Sequence, residues 1–185
     1  MNELLKLLFA ALTSFGVSLL FGPPIINILH RLKFGQNIRT DGPRSHLKKA
    51  GTPTMGGILI LLSLVVALIA VRNFSPEVIW VLFLTLGYGL IGLIDDLIII
   101  ITKRSLGLKA RQKLFAQVVI AGIVTFFMIR SGYSTSQLVP FTDLKLVFPE
   151  SGWGNPLFFI FAVFVLVGVS NAVNLTDGLD GLAAG

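Results

Sequence analysis

Asp95 and Asp96 stand side by side within the apolar run 86–101, LGYGLIGLIDDLIIII. Ionised carboxylates are costly at membrane depth, so residues of this kind are functional candidates by default. One aspartate is accounted for by the end of a membrane helix, with residues 97–101 lying along the interface. Two together, with no basic residue in the preceding apolar run to neutralise them, suggest that a cation from outside is expected. Carboxylate oxygens are hard ligands suited to Mg²⁺, which takes one or two protein carboxylates and leaves its other positions to water and phosphate.

Three further polar stretches carry groups that could act on such a site. In residues 36–57, QNIRTDGPRSHLKKAGTPTMGG, a helix start is expected, with Thr52 as cap and Pro53 in the first turn. The free N–H groups and positive dipole end of a helix start bind anions. Lys48 and Lys49 stand just before it, a combination suited to a diphosphate, and Gly56-Gly57 lets a backbone or ligand come close. A topogenic loop touching anionic headgroups is the plain alternative. His46 alone is uninformative. Residues 102–113, TKRSLGLKARQK, hold five basic residues and no acid. They could take phosphate charge that a metal at the aspartates only partly offsets, or simply form a solvated, orientation-setting loop. In residues 171–185, NAVNLTDGLDGLAAG, the polar residues Asn171, Asn174, Asp177 and Asp180 recur every third position. Neighbours at that spacing share a side of a helix, whereas the two Asp-Gly steps favour a turn. Capping accounts for one Asp-Gly but not for the whole set.

The elements that position these residues are membrane spans. The chain has 185 residues, is 54% hydrophobic and only 13% charged, against about 25% charged in soluble domains, and its mean hydropathy is +0.86. It contains no cysteine, which excludes disulfides and thiolate metal sites. An all-α polytopic membrane protein is expected, a single transmembrane domain over 1–185. About five transmembrane helices are read from runs of some ~20 apolar residues, at 4–29, 54–71, 78–101, 114–129 and 157–173. The first is too long for a signal-peptide core and should remain as an anchor; its Gly22-Pro23-Pro24 should kink or end it. Of fifteen Lys and Arg, six lie in the loop 30–53 and five in the loop 102–113. By the positive-inside rule both loops are cytoplasmic and the N-terminus is outside. The second loop, the aspartate pair, residues 52–54 and residues 171–185 then converge on the cytoplasmic face. The outer connection 130–156 carries no obvious constellation and has room for short strands.

Four segments carry a resemblance: SHLKKAGTPTMGG at 45–57, GLIDDL at 92–97, LGLKARQK at 106–113 and SNAVNLTDGLDGLAAG at 170–185. Together they closely resemble the phospho-N-acetylmuramoyl-pentapeptide-transferase family, within the polyprenyl-phosphate N-acetylhexosamine-1-phosphate transferases. The superfamily shares the aspartate pair and the Asp-Gly motif, and the KKAGTPTMGG run is similar to the muramoyl branch.

The resemblance implies an enzyme of the bacterial plasma membrane, active at its cytoplasmic face. It would use Mg²⁺ to transfer phospho-N-acetylmuramoyl-pentapeptide from its UDP derivative to undecaprenyl phosphate, giving lipid I and UMP in peptidoglycan synthesis. By position, Asp95 resembles the residue that deprotonates or orients the lipid phosphate, and Asp96 its metal-associated neighbour; both are implied metal ligands. Asn171 matches a residue needed for activity, and Asp177 joins it among the implied catalytic residues. Asn174, Leu175, Asp177, Gly178 and Asp180 fall where the family lines its uridine and diphosphate pocket. Lys48, Lys49 and Lys113 match basic residues near the substrate phosphates. The implied surroundings are the lipid bilayer and, at full length, a homodimer, with no nucleic acid.

Two departures qualify this. Relatives often have a lysine three residues after the second aspartate, where this chain has Ile99, so that role is absent or falls to Lys103. The family has about ten spans, and its later loops supply another metal-binding aspartate and a histidine cluster beyond Gly185. This chain alone is therefore expected to be inactive or nearly so. Two other classes compete: a non-catalytic membrane fragment completed by a partner chain, and an ion-coupled transporter using the aspartates. The second is disfavoured because no broken helix surrounds them.

Overall fold

The computed structural model describes residues 2–31, 55–72, 74–102, 107–149 and 154–176. In chain order they form α1 (Glu3–Arg31), α2 (Gly57–Val71), α3 (Pro76–Thr102), α4 (Ala110–Arg130), β1 (Gln137–Leu138), β2 (Lys145–Leu146) and α5 (Gly154–Thr176). Four of these helices, α1, α3, α4 and α5, are long and apolar enough to cross a membrane. This is an all-α polytopic membrane protein. The fifth apolar helix, α2, has 15 residues and rises only about 22 Å, against a hydrocarbon core of about 30 Å. The chain divides into two compact units, Met1–Ala110 and Arg111–Gly185.

In the first unit, α2 packs against both α1 and α3. Ser18 and Ser63 meet across the α1–α2 contact at 2.9 Å, and Ser63 Oγ donates to the Leu59 carbonyl at 2.8 Å. A hydroxyl has one proton, so Ser18 is the donor between the two. Ser63 is only 2% exposed. On the other side, a Cβ placed on Gly89 of α3 would come within 2.6 Å of a Leu61 methyl. Small residues let membrane helices approach in this way.

The ends of these helices follow their local sequence. Pro76 opens α3, where its missing N–H costs nothing, and the Ser75 hydroxyl accepts the Val78 N–H at 3.5 Å. Arg72 closes α2 with φ 53, its N–H returning to the Ile69 carbonyl. At the other end, α2 begins at Gly57, with Gly56 at its cap and no side-chain cap bond. The expected helix start at Thr52-Pro53 is thus displaced, because Met55 has φ 70 and cannot continue a right-handed helix; residues 52–54 themselves lie outside the described residues. The proline pair does not end α1, which runs through Pro23 and Pro24 to Arg31. Gly22, just before the pair, is buried and would present a Cβ to Leu59 at ordinary contact, 3.7 Å. Packing against a neighbouring helix is what lets a membrane helix tolerate proline.

In the second unit, α4 and α5 run antiparallel, since Lys113 meets Asn174, Gln117 meets Ser170, and Gly122 lies 3.4 Å from the Phe159 ring when given a Cβ. Between them, β1 and β2 pair antiparallel with Gln137 opposite Leu146 and Leu138 opposite Lys145. The connection expected to have room for short strands does contain a hairpin. Its base is closed by Thr135, whose hydroxyl donates to the Phe148 carbonyl at 2.8 Å. The Phe148 ring packs on Phe158 and Phe161 in the first turns of α5, with centroids 5.5 and 5.3 Å away. At the tip, the Thr142 N–H bonds the Val139 carbonyl and Phe141 has φ 63. That is a type II turn, with Pro140 in its favoured second position and phenylalanine where glycine or asparagine is usual.

Candidate active site

Asp95 and Asp96 lie in the last two turns of α3, both half-buried. The chain after the helix folds back on the first of them. The Leu108 backbone N–H donates to Asp95 Oδ1 at 2.6 Å. The approach is possible because residue 107 is glycine: a Cβ there would overlap the Asp95 carboxylate and stand 2.8 Å from the Asp95 carbonyl oxygen. The basic loop thus reaches the aspartate through its backbone, a contact that the reading of its lysines and arginines did not include. Asp96 is turned about 100° around the helix from Asp95.

The second cluster lies along the α4–α5 seam. Asn171 donates its side-chain amide to Gln117 Oε1 at 2.7 Å and to the Val167 carbonyl at 2.8 Å. Gln117 in turn donates to Ser170 Oγ at 3.3 Å. With both donors committed, the Asn171 carboxamide is fixed in orientation. One turn away along both helices, Lys113 Nζ donates to Asn174 Oδ1 at 3.3 Å. Asn171 and Asn174 do share a side of a helix, since α5 continues to Thr176, and that side faces α4. Leu175 is exposed.

The structure therefore brings Lys113 together with Asn174, and joins Asn171 to Gln117 and Ser170. Asp95 and Asp96 belong to the first unit and the α4–α5 cluster to the second. Lys48, Lys49, Asp177, Gly178 and Asp180 lie outside the described residues. Gln117, only 3% exposed, was not singled out from sequence. The available signal was a carboxamide inside an apolar helix, one turn beyond Lys113.

Residues 78–185, more than half of the chain and including both clusters, match the family profile described as glycosyl transferase family 4. The chain belongs to glycosyl transferase family 4. Within the family, residues 49–61 match signature 1 of phospho-N-acetylmuramoyl-pentapeptide-transferase, which runs from Lys49 into the first turn of α2. The chain is 49% identical over 185 residues to the phospho-N-acetylmuramoyl-pentapeptide-transferase of Bacillus subtilis strain 168, covering 97% of this chain and 55% of the relative. It is 52% identical over 183 residues to the enzyme of the same name from Geobacillus sp. strain WCH70, with the same coverage. This member of glycosyl transferase family 4 thus spans about half the length of the curated relatives it matches.

Proposed function

We propose that the protein to which these residues belong transfers phospho-N-acetylmuramoyl-pentapeptide from its UDP derivative to undecaprenyl phosphate, giving lipid I and UMP for peptidoglycan synthesis. The observation that carries this reading is the near-complete match of the chain, at about half identity, to transferases of that name. The paired carboxylates at the end of an apolar helix supply a chemical reason for it. Basic loops on both sides of the α2–α3 pair support a cytoplasmic active face in the bacterial plasma membrane, with the N-terminus outside. A homodimer at full length follows from the family resemblance.

The donor chemistry at Asp95 and Asp96 suits Mg²⁺. Among the described residues no cluster of three Asp, Glu, His or Cys could hold a metal, and Mg²⁺ does not need one, because phosphate and water complete its shell. A carboxylate has about four lone-pair sites, so the Leu108 bond orients Asp95 without exhausting it. When bound, Mg²⁺ would neutralise diphosphate charge and polarise the phosphoryl oxygen.

The chain's own residues supply alignment. A phosphate monoester has a second pKa near ~6, so the lipid phosphate arrives largely ionised, and Asp95 has mainly to position it for direct attack. By the family resemblance, Lys48, Lys49 and Lys113, the last bonded to Asn174, would bind the substrate phosphates. By the same resemblance, Asn171, with its amide held by Gln117 and Val167, and Asp177 would act in catalysis, while Asn174, Leu175, Gly178 and Asp180 would bind the nucleotide substrate. Phosphoryl transfer consists mostly of such positioning and charge neutralisation.

The test is UMP release from UDP-N-acetylmuramoyl-pentapeptide by the full-length protein in the presence of undecaprenyl phosphate and Mg²⁺. Asp95→Asn should abolish it while leaving the protein folded, and undiminished turnover in that variant would refute the assignment. The 185-residue chain alone should release little or no UMP.

A further inference from the structure

The hairpin between α4 and α5 is built at odds with a life in water. Leu138, Phe141, Leu144, Leu146 and Val147 are all exposed, and Phe141 is 108% exposed. Because Gln137 pairs with Leu146 and Leu138 with Lys145, the apolar side chains lie on both faces of the ribbon as well as at its tip. Phe141 also occupies the left-handed position of a type II turn, φ 63, where glycine or asparagine avoids strain. A phenyl ring held there against a backbone penalty, and exposed among the described residues, calls for a compensating contact outside its own unit.

What lies outside is set by the tethers. The hairpin leaves α4 after Arg130, whose guanidinium sits 5.5 Å over the Phe126 ring, a cation at the end of an apolar helix as expected at a bilayer boundary. Its base is clamped by Phe148 to Phe158 and Phe161 of α5. Phe161 lies only about 10 Å along the axis from the start of that helix. The base of the hairpin is thus held beside the ends of two helices, α4 and α5, that are long and apolar enough to cross a membrane, and the expected level of that base is the boundary between headgroups and acyl chains.

We propose that this hairpin is a membrane-surface anchor, with Phe141 and the neighbouring leucines buried in the headgroup–acyl boundary of the leaflet next to which it emerges. The partner is lipid, bound through apolar side chains, while Asp143 and Lys145 remain among the headgroups. This holds whichever side of the membrane the hairpin occupies and does not depend on the reaction assigned above.

Residues 1–185 contain no cysteine, so in the full-length protein, with any cysteine elsewhere replaced by serine, Phe141→Cys gives a single site for a nitroxide label. The label is read by electron paramagnetic resonance in vesicles of phosphatidylethanolamine and phosphatidylglycerol, comparing collisions with oxygen and with a water-soluble nickel chelate. Phe164→Cys, exposed in the middle of α5, provides the lipid reference, and Asn2→Cys, at the exposed amino end, the water reference. The expected result is an oxygen-to-nickel ratio at position 141 several-fold above that at position 2 and approaching that at 164. A ratio equal to that at position 2 would overturn the proposal by placing the tip in water. Shielding from both reagents would also overturn it, because a protein partner or second copy would then cover the hairpin. Leu144→Cys, labelled in the same way, should follow position 141 and guards against a local effect of the turn.

Discussion

Replacing Gly107 by alanine should free the loop after α3 from Asp95. The added Cβ would overlap the carboxylate and stand 2.8 Å from the Asp95 carbonyl oxygen. The carboxylate could rotate aside, but the carbonyl is part of the α3 backbone and cannot. Residue 107 must therefore move and take the Leu108 N–H with it. A hydrogen bond to a charged group contributes roughly 1.5–3 kcal/mol. At 1.4 kcal/mol per tenfold, its loss shifts the closed-to-open ratio of this loop by about ten- to a hundred-fold. The assay is amide hydrogen exchange by mass spectrometry on the protein in lipid nanodiscs, following peptides that contain Leu108. Protection there should fall by that factor in Gly107→Ala. Gly57→Ala, whose Cβ would meet nothing within 4 Å, should leave it unchanged. Parental protection of Leu108 in Gly107→Ala would refute the view that glycine at 107 is needed to hold the loop on Asp95.

Two other substitutions test the packing of each unit. Gln117→Ala removes both the acceptor for Asn171 and the donor to Ser170 from the α4–α5 seam, and should cost about 1–3 kcal/mol, read as a lower thermal midpoint in detergent. Gln117→Leu, which restores volume but no acceptor, should recover little of it; full recovery would mean that the seam depends on shape alone. For α1 and α2, a double-mutant cycle of Ser18→Ala and Ser63→Ala should give a coupling of about 0.6 kcal/mol and at most about 1.7 kcal/mol, the average and the maximum for side-chain hydrogen bonds between membrane helices. A coupling of zero would mean that the 2.9 Å hydroxyl contact contributes nothing net.

The helices were legible because their signal is length and apolarity, which the bilayer enforces independently of packing. The start of α2 was not, because it depends on the left-handed backbone at Met55, and threonine-proline spacing suggested a start upstream. For α1, local chemistry at Pro23-Pro24 left a kink or an end open; the helix does not end there but runs on to Arg31, and the neighbouring α2 packs against that stretch. At the candidate site, Asp95 and Asp96 stood out as charges in an apolar run. The Leu108 contact could not be read in advance, since its donor is a backbone N–H and every residue but proline has one. The link of Asn171 to α4 depended on knowing that α4 and α5 run antiparallel in register.

Small and polar side chains predominate among the most deeply buried of the described residues. Ser63, Ala67, Ala121, Gln117 and Thr125 are closed off, together with a few larger residues such as Leu29, Ile91 and Val124, while dozens of Leu, Ile, Val and Phe are exposed. The protein's mutational tolerance should be inverted relative to that of a water-soluble domain. Leucine, isoleucine and phenylalanine on the lipid face should exchange freely, because one hydrocarbon serves a liquid solvent as well as another. The serines, alanines and glycines at the helix crossings would be the residues under purifying selection. Over evolutionary time, such a sequence would drift at its large residues and hold still at its small ones.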